Sequence, residues 1–122
     1  DPDLVADLPL SIRLAELAWQ VDPSYGQGAL ASLMGTLEGA KVGGSRQKAQ
    51  MYFDQAIALG KGQEAGPFVA KAEGVALPAE DRKQFEQLLK QALDISQQHR
   101  SLQNEVMRER AQWLLSSVDE LF

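Results

Sequence analysis

Cysteine is absent from the 122 residues, so the chain can form neither a disulfide nor a thiolate metal centre. Histidine is nearly absent. His99 is the only one, and it falls in a polar stretch, QQHRS, with no partner at ligand spacing. Basic charge is also short: 12 lysines and arginines stand against 17 aspartates and glutamates, a net charge of −5. No basic cluster offsets that deficit, which argues against nucleic acid or an anionic membrane surface as a partner. No apolar run is long enough to cross a bilayer. Alternating runs of β-branched residues are missing, and the five prolines and ten glycines fall mostly between periodic segments, which together favour an all-α chain.

What the chain does have is helical periodicity, clearest over residues 45–60, SRQKAQMYFDQAIALG. Gly43 and Gly44 interrupt what precedes. Ser45 offers a hydroxyl to the free N–H groups of a first turn, and Ala49, Phe53, Ala56 and Ile57 then recur on one face. Gly60 is expected to close the helix in the left-handed conformation. The order small, large, small along this stripe implies a neighbouring helix lying close at Ala49 and Ala56, with Phe53 filling the space between them.

Upstream, Asp3 or Asp7 can cap a first helix that turns Leu10, Leu14, Leu17 and Ala18 inward and stops before Asp22-Pro23. Its outward apolar residues are then among Val5, Ile12 and Trp19, and such exposure favours self-association. After a turn at Gly26 and Gly28, a second helix over residues 29–40 carries Leu30, Leu33, Met34 and Leu37 on one stripe and Ala31, Gly35 and Gly39 on another. Each interior glycine costs about 1 kcal/mol relative to alanine, which the close approach of a neighbouring helix would offset. Pro67 opens a short helix bearing Phe68, Ala72 and Val75. Pro78 opens the next, over residues 79–96, acidic in its first turn at Glu80 and Asp81 and burying Phe85, Leu88, Leu89, Ala92 and Ile95. In the last helix Met107, Ala111, Leu114, Val118 and Leu121 form the stripe, widened by Val106, Trp113 and Phe122. The reading is about six helices and no strand.

Ala18, Ala56 and Ala92 each stand near the end of the second helix of a pair. Their intervals lie a little above the roughly 34 residues of a tetratricopeptide repeat and below the roughly 40 to 47 of a HEAT repeat. Ala49-x3-Phe53-x2-Ala56 matches the second-helix pattern of the shorter repeat, and Phe68-x3-Ala72 supplies the large-then-small pair of a first helix. The expected architecture is a single domain, 1–122, of antiparallel helical hairpins stacked as a tetratricopeptide-like right-handed array. Such a stack works through the concave surface lined by the first helix of each pair. With Gly35 and Ala72 turned toward the neighbouring helix, the adjoining positions Ser32 and Thr36 in one unit, and Val69 and Glu73 in the other, become the candidate partner contacts.

Catalytic chemistry is not expected. Glu80-Asp81 and Asp119-Glu120 are adjacent pairs, which diverge by about 100° on a helix and do not share a proton. Gly43-Gly44-Ser45 opens a helix but lacks the lysine and spacing of a phosphate loop, so a simple cap is expected there. Trp19 and Trp113 lie beside apolar stripes and are assigned to the core. No catalytic residue, cofactor or metal site follows from the residues.

Taken in order, Leu4-Val5, Leu8-Pro9, Asp22-Pro23-x-Tyr25-Gly26-x-Gly28-Ala29-Leu30, Gly43-Gly44-Ser45-x2-Lys48-Ala49 and Phe53-x2-Ala56 resemble the carboxy-terminal half of the T-component of TRAP transporters, the TatT type. Pro78-x2-Asp81-Arg82-x2-Phe85-Glu86-x-Leu88-Leu89, Asn104, Arg110-Ala111-x-Trp113-Leu114-Leu115 and Asp119-x-Leu121-Phe122 continue the pattern, so the resemblance covers essentially the whole chain. Ser45 stands where the family more usually has aspartate, and either residue caps a helix. The resemblance implies an all-helical, tetratricopeptide-like periplasmic protein, usually a lipoprotein and not an enzyme. Such a protein associates with the solute-binding P-component of a tripartite, ATP-independent uptake system. It also implies a homo-oligomer, as a member of the family trimerises, and a longer protein of which this chain is the carboxy-terminal half, tied to the membrane only through a lipid anchor outside it. A second expectation, from the helices alone, is a carrier that encloses an apolar small molecule among them.

Overall fold

The computed structural model describes the backbone of residues 2–122 and the side chains from residue 8 onward. Among the described residues there are seven helices and no strand: α1 (Pro2–Val21), α2 (Ala29–Ala40), α3 (Arg46–Leu59), α4 (Gly66–Lys71), α5 (Arg82–Gln98), α6 (Leu102–Ser116) and α7 (Val118–Leu121). The all-α class expected from the sequence therefore holds. None of these helices is long and apolar enough to cross a membrane. The caps expected of Asp3 or Asp7 fall on side chains outside the described residues.

Short polar side chains start three of the helices. Ser45 accepts a hydrogen bond from the Lys48 amide (3.2 Å) at α3, Asp81 from the Gln84 amide (3.0 Å) at α5, and Ser101 from the Asn104 amide (3.1 Å) at α6. Pro78 does not open α5, and Glu80 and Asp81 do not fill its first turn. A widened π-type turn over Ala72–Ala76, closed by the Leu77 amide on the Ala72 carbonyl (2.9 Å), carries the α4 rod as far as Leu77. Pro78 and Glu80 (φ +56°) then lie in a tight turn, and the next rod begins only after Asp81. Gly60 does not adopt the left-handed form (φ −84°); Lys61 does (φ +57°). A Cβ at 60 would be crowded, standing 2.9 Å from Glu64 Cγ and 3.2 Å from the Gln27 carbonyl. The last helix of the sequence reading is two. The Ser116 hydroxyl donates to the Trp113 carbonyl (2.7 Å), competing for backbone acceptors at the point where α6 yields to α7.

The chain directions follow from which ends meet. A Cβ on Gly28, before α2, would collide with the Ala56 carbonyl near the end of α3, while Glu38 near the end of α2 reaches Ser45 at the start of α3. These two helices are an antiparallel hairpin. Likewise Arg82 at the start of α5 meets Asp119 (2.6 Å), and His99 after α5 meets Asn104 at the start of α6, a second antiparallel pair. Between the hairpins lies α4, which packs on α2, α3, α5 and α6. It begins beside α6 at Ala65–Asn104 and runs alongside it to Glu73–Arg110, so α4 and α6 point the same way, and Gly39 near the Gly74 carbonyl aligns α2 with both.

The larger core gathers Phe68, Val69 and Ala72 of the α4 rod, Phe85, Leu88, Leu89 and Ala92 of α5, and Ala111 and Leu114 of α6. A smaller one centres on Phe53, which is fully buried with Ala49 and Val75. Its ring lies between two glycines. A Cβ added to Gly35 of α2 would stand 2.7 Å from the ring, and one added to Gly74 would stand 3.3 Å from it. The expected cause of the glycine at 35 is thus found, though the neighbour that exploits it is an aromatic ring rather than a backbone.

The first helix is turned half a revolution from the expectation. Ile12, Ala15 and Trp19 face α2 and α3, with the Trp19 ring edge-on to Tyr52 at 5.3 Å, whereas Leu10, Leu14, Leu17 and Ala18 are exposed. The helix carries two apolar stripes about 180° apart, and the one containing small Ala15 permits the closer approach. Val5 lies outside the described side chains. Val106 and Trp113 are also exposed and do not widen the α6 core stripe.

Candidate functional site

On the side away from α3 and α5, the three like-directed helices α2, α4 and α6 enclose an open groove. A cleft of about 760 Å³ lies where the three helices begin, and a second of about 500 Å³ lies toward their far ends. Thr36, Gly66, Ala70 and Met107 border both, so the two are continuous. The floor comes from α4 and its widened turn, as Gly66, Ala70 and Gly74 at i, i+4 and i+8, and therefore carries almost no side-chain bulk. Apolar residues stand at the rims: Leu33 of α2 on one side, Leu102 and Val106 of α6 on the other, all exposed.

Three of the four candidate contacts face solvent along this groove. Ser32 is half-buried and Thr36 exposed, and the Thr36 hydroxyl donates to the Ser32 carbonyl of its own helix (3.2 Å). Glu73 is half-buried and held by Arg110 across two hydrogen bonds of 2.7 and 3.1 Å. The hydrogen bond that Arg110 donates to Glu73, reinforced by the Glu73 charge, raises the pKa of Arg110 above the usual arginine value. Val69 borders the groove but, at 3% exposure, belongs chiefly to the core. Ser32 and Thr36 on one wall and Glu73 near the other are thus brought to one surface.

Three positions that matter here were not singled out as site residues. Asn104 is buried and accepts from the Ala65 amide (3.0 Å) while its amide nitrogen donates to the Gln63 carbonyl (3.0 Å) and the His99 carbonyl (2.7 Å). It ties the loop before α4 to the turn before α6, and so fixes the wide end of the groove. Its spacing signalled as much: 104, 107, 111, 114 and 118 form one stripe, headed by a polar residue. Arg110 also places its guanidinium 5.2 Å from the Trp113 ring centroid, so that Trp113 is an exposed surface ring and not core.

Glu38 is the third. It is 6% exposed, accepts from the Ser45 amide (3.0 Å) and pairs with Lys41 (2.7 Å). Burial alone would raise its pKa, but the Lys41 ammonium, the Ser45 amide and the charge of Lys48 together hold it below the ordinary carboxylate value. Its carboxylate takes the place that a bound anion would occupy at the start of α3, which explains why Gly43-Gly44-Ser45 serves as a cap. A smaller cleft of about 250 Å³ between α1, α2 and α3 has Glu38 and Lys41 on its wall. Both acidic pairs adjoin Arg82: Asp81 caps α5 just before it, and Asp119 accepts its hydrogen bond. His99 is exposed.

The groove offers apolar rims, a floor of minimal bulk and helices whose backbone groups are satisfied internally, an arrangement suited to holding another chain. Compared with protein families, residues 1–122 match the one described as TRAP transporter T-component. No curated protein and no solved structure matches the chain.

Proposed function

The chain belongs to the TRAP transporter T-component family, and from that premise we propose that it serves its transport system by docking the solute-binding P-component in the groove of α2, α4 and α6. Its role in such a system is accessory. The single observation that carries the docking reading is a continuous open groove along whose rims Leu33, Leu102 and Val106 are exposed together, a clustering of apolar side chains that marks interaction surfaces. Each helix from α2 to α6 runs antiparallel to the next, so with α2–α3 and α4–α5 taken as successive pairs and α6 opening a third, alternate helices lie on one side and α3 and α5 on the other; this fits a tetratricopeptide-like stack, whose docking surface is lined by the first helix of each pair. Ser32, Thr36 and Glu73 lie on it, and Val69 supports it from below.

The protein acts in the periplasm without catalysing a reaction, tied to the membrane by a lipid on a part of the protein outside these residues, and it self-associates. The exposed stripe of Leu10, Leu14, Leu17 and Val21 supports the last point. A carrier enclosing an apolar small molecule is less well supported, because both clefts are open rather than closed. Titration of the solute-binding subunit of the same transporter into this protein, followed calorimetrically, tests the reading. Saturable binding is expected; no heat at concentrations up to about 100 μM would overturn it.

A further inference from the structure

The docking reading leaves open what part of the partner enters the groove, and the inference drawn here rests on that reading. We infer that the groove receives one amphipathic α-helix of the solute-binding partner, about three turns long and with a basic residue in its last turn, placed against Glu64. The occupant is a helix for reasons of hydrogen bonding. Apart from the loop residues at its wide end, among them Gln27, Glu64 and Ser101, the groove is walled by helices; the backbone groups of a helix interior are spent within it, so an extended segment laid along it would find no ladder partners for its own amides and carbonyls. A helix brings its backbone already satisfied.

The dimensions agree. The floor of Gly66, Ala70 and Gly74 lets a second rod approach closely, as small residues do in packed helix pairs, while Leu33 and Val106 flank it and close on its apolar stripe. The twelve residues of α2 set the groove's length at roughly 18 Å, which is about three turns.

Charge gives the orientation. Among the described residues Glu64 has no cationic partner, whereas Glu73 and Arg110 at the other end neutralise one another. The groove's unbalanced charge is therefore one carboxylate at its wide end. That end is also where α2 and α6 begin, so a helix docked antiparallel to them brings its own negative end to their positive ends. The last turn of a helix is where lysine and arginine are favoured, which puts a cation opposite Glu64.

The test uses the protein and the solute-binding subunit of its transporter. Leu33→Glu and Val106→Glu alter exposed rim positions and should leave the melting temperature unchanged while weakening binding at least about tenfold each. Glu64→Lys should weaken it as well and flatten its dependence on salt. Met51→Glu, an exposed apolar position on α3 outside the groove, should bind as the unaltered protein does. Synthetic peptides copied from the subunit's surface helices should compete, and the one that does should gain helical circular dichroism on binding. Full-strength binding by both rim variants would overturn the groove inference and leave the docking reading standing, and competition only by a peptide that stays extended would overturn the helix. Absence of binding by the unaltered protein would remove the docking reading itself.

Discussion

The Phe53 ring touches Gly35 across the α2–α3 hairpin so closely that even a methyl group on Gly35 would stand 2.7 Å from it. Gly35→Ala should therefore destabilise the protein by about 1–3 kcal/mol through overpacking, outweighing the gain in helix propensity of about 1 kcal/mol. Phe53→Ala alone should cost about 3–5 kcal/mol, since the whole ring is buried. Because the two residues share one contact, their effects should not add. Combining Gly35→Ala with Phe53→Leu should cost less than the sum of the single changes, as read from chemical denaturation.

Asn104 satisfies three backbone groups from two loops. Asn104→Leu keeps the branching of the side chain but strands an amide and two carbonyls, and should cost at least about 2–3 kcal/mol, the scale of unsatisfied buried groups. Amide exchange at Ala65 should accelerate more than exchange within α5. Unchanged protection at Ala65 would mean that the loop is held by other contacts.

Glu38 makes stability depend on acid. A carboxyl held below its ordinary pKa in the folded chain contributes stability that is fully present above its unfolded value and is lost as pH falls through the folded one. The melting temperature should drop on acidification below the ordinary carboxylate range. Glu38→Gln should be less stable at neutral pH and show a shallower decline on the acid side.

The outward stripe of α1 predicts association. Leu10, Leu14 and Val21 are each more than half exposed and Leu17 nearly so, all on one side of a helix whose opposite side is already packed. Light scattering at high concentration should report a species heavier than one chain. Leu14→Glu with Leu17→Glu should shift it toward the monomer and leave the melting temperature unchanged only at dilution, where the unaltered chain is monomeric as well.

What could be read in advance divides by how local its cause is. Ser45, Pro67, the stripe of Ala49, Phe53 and Ala56, and the interior of α5 are set by neighbours within two turns, and their periodicity was legible. The facing of α1 was not, because Leu10, Leu14 and Leu17 are as apolar as Ile12, Ala15 and Trp19, and only the fit of Ala15 against α2 decides between them. Pro78 misled for a similar reason. A proline can begin a rod or finish a turn, and the widened turn at Ala72–Ala76 that settles the matter leaves no mark in hydrophobic period. Of the candidate contacts, Ser32, Thr36 and Glu73 lie along the groove as their positions beside Gly35 and Ala72 imply, while Val69 is turned to the core; that a partner touches them is part of the proposal. The stripe of α6 marks Asn104 as a residue facing the core, but its partners Ala65 and Gln63, like the Glu73 partner of Arg110, lie about forty residues away in sequence, and no local pattern names them.

Phe53 also acts at a distance from its own cavity. Its ring is wedged between a glycine of α2 and a glycine beyond α4, the two rods that carry one wall and the floor of the open trough on the opposite side. A single interior aromatic is thus the gauge block that sets how far apart those rods stand. A thinner or rounder side chain at that position would let them slide together and reshape a surface it never reaches, so the fit of whatever rests there is decided in part from behind.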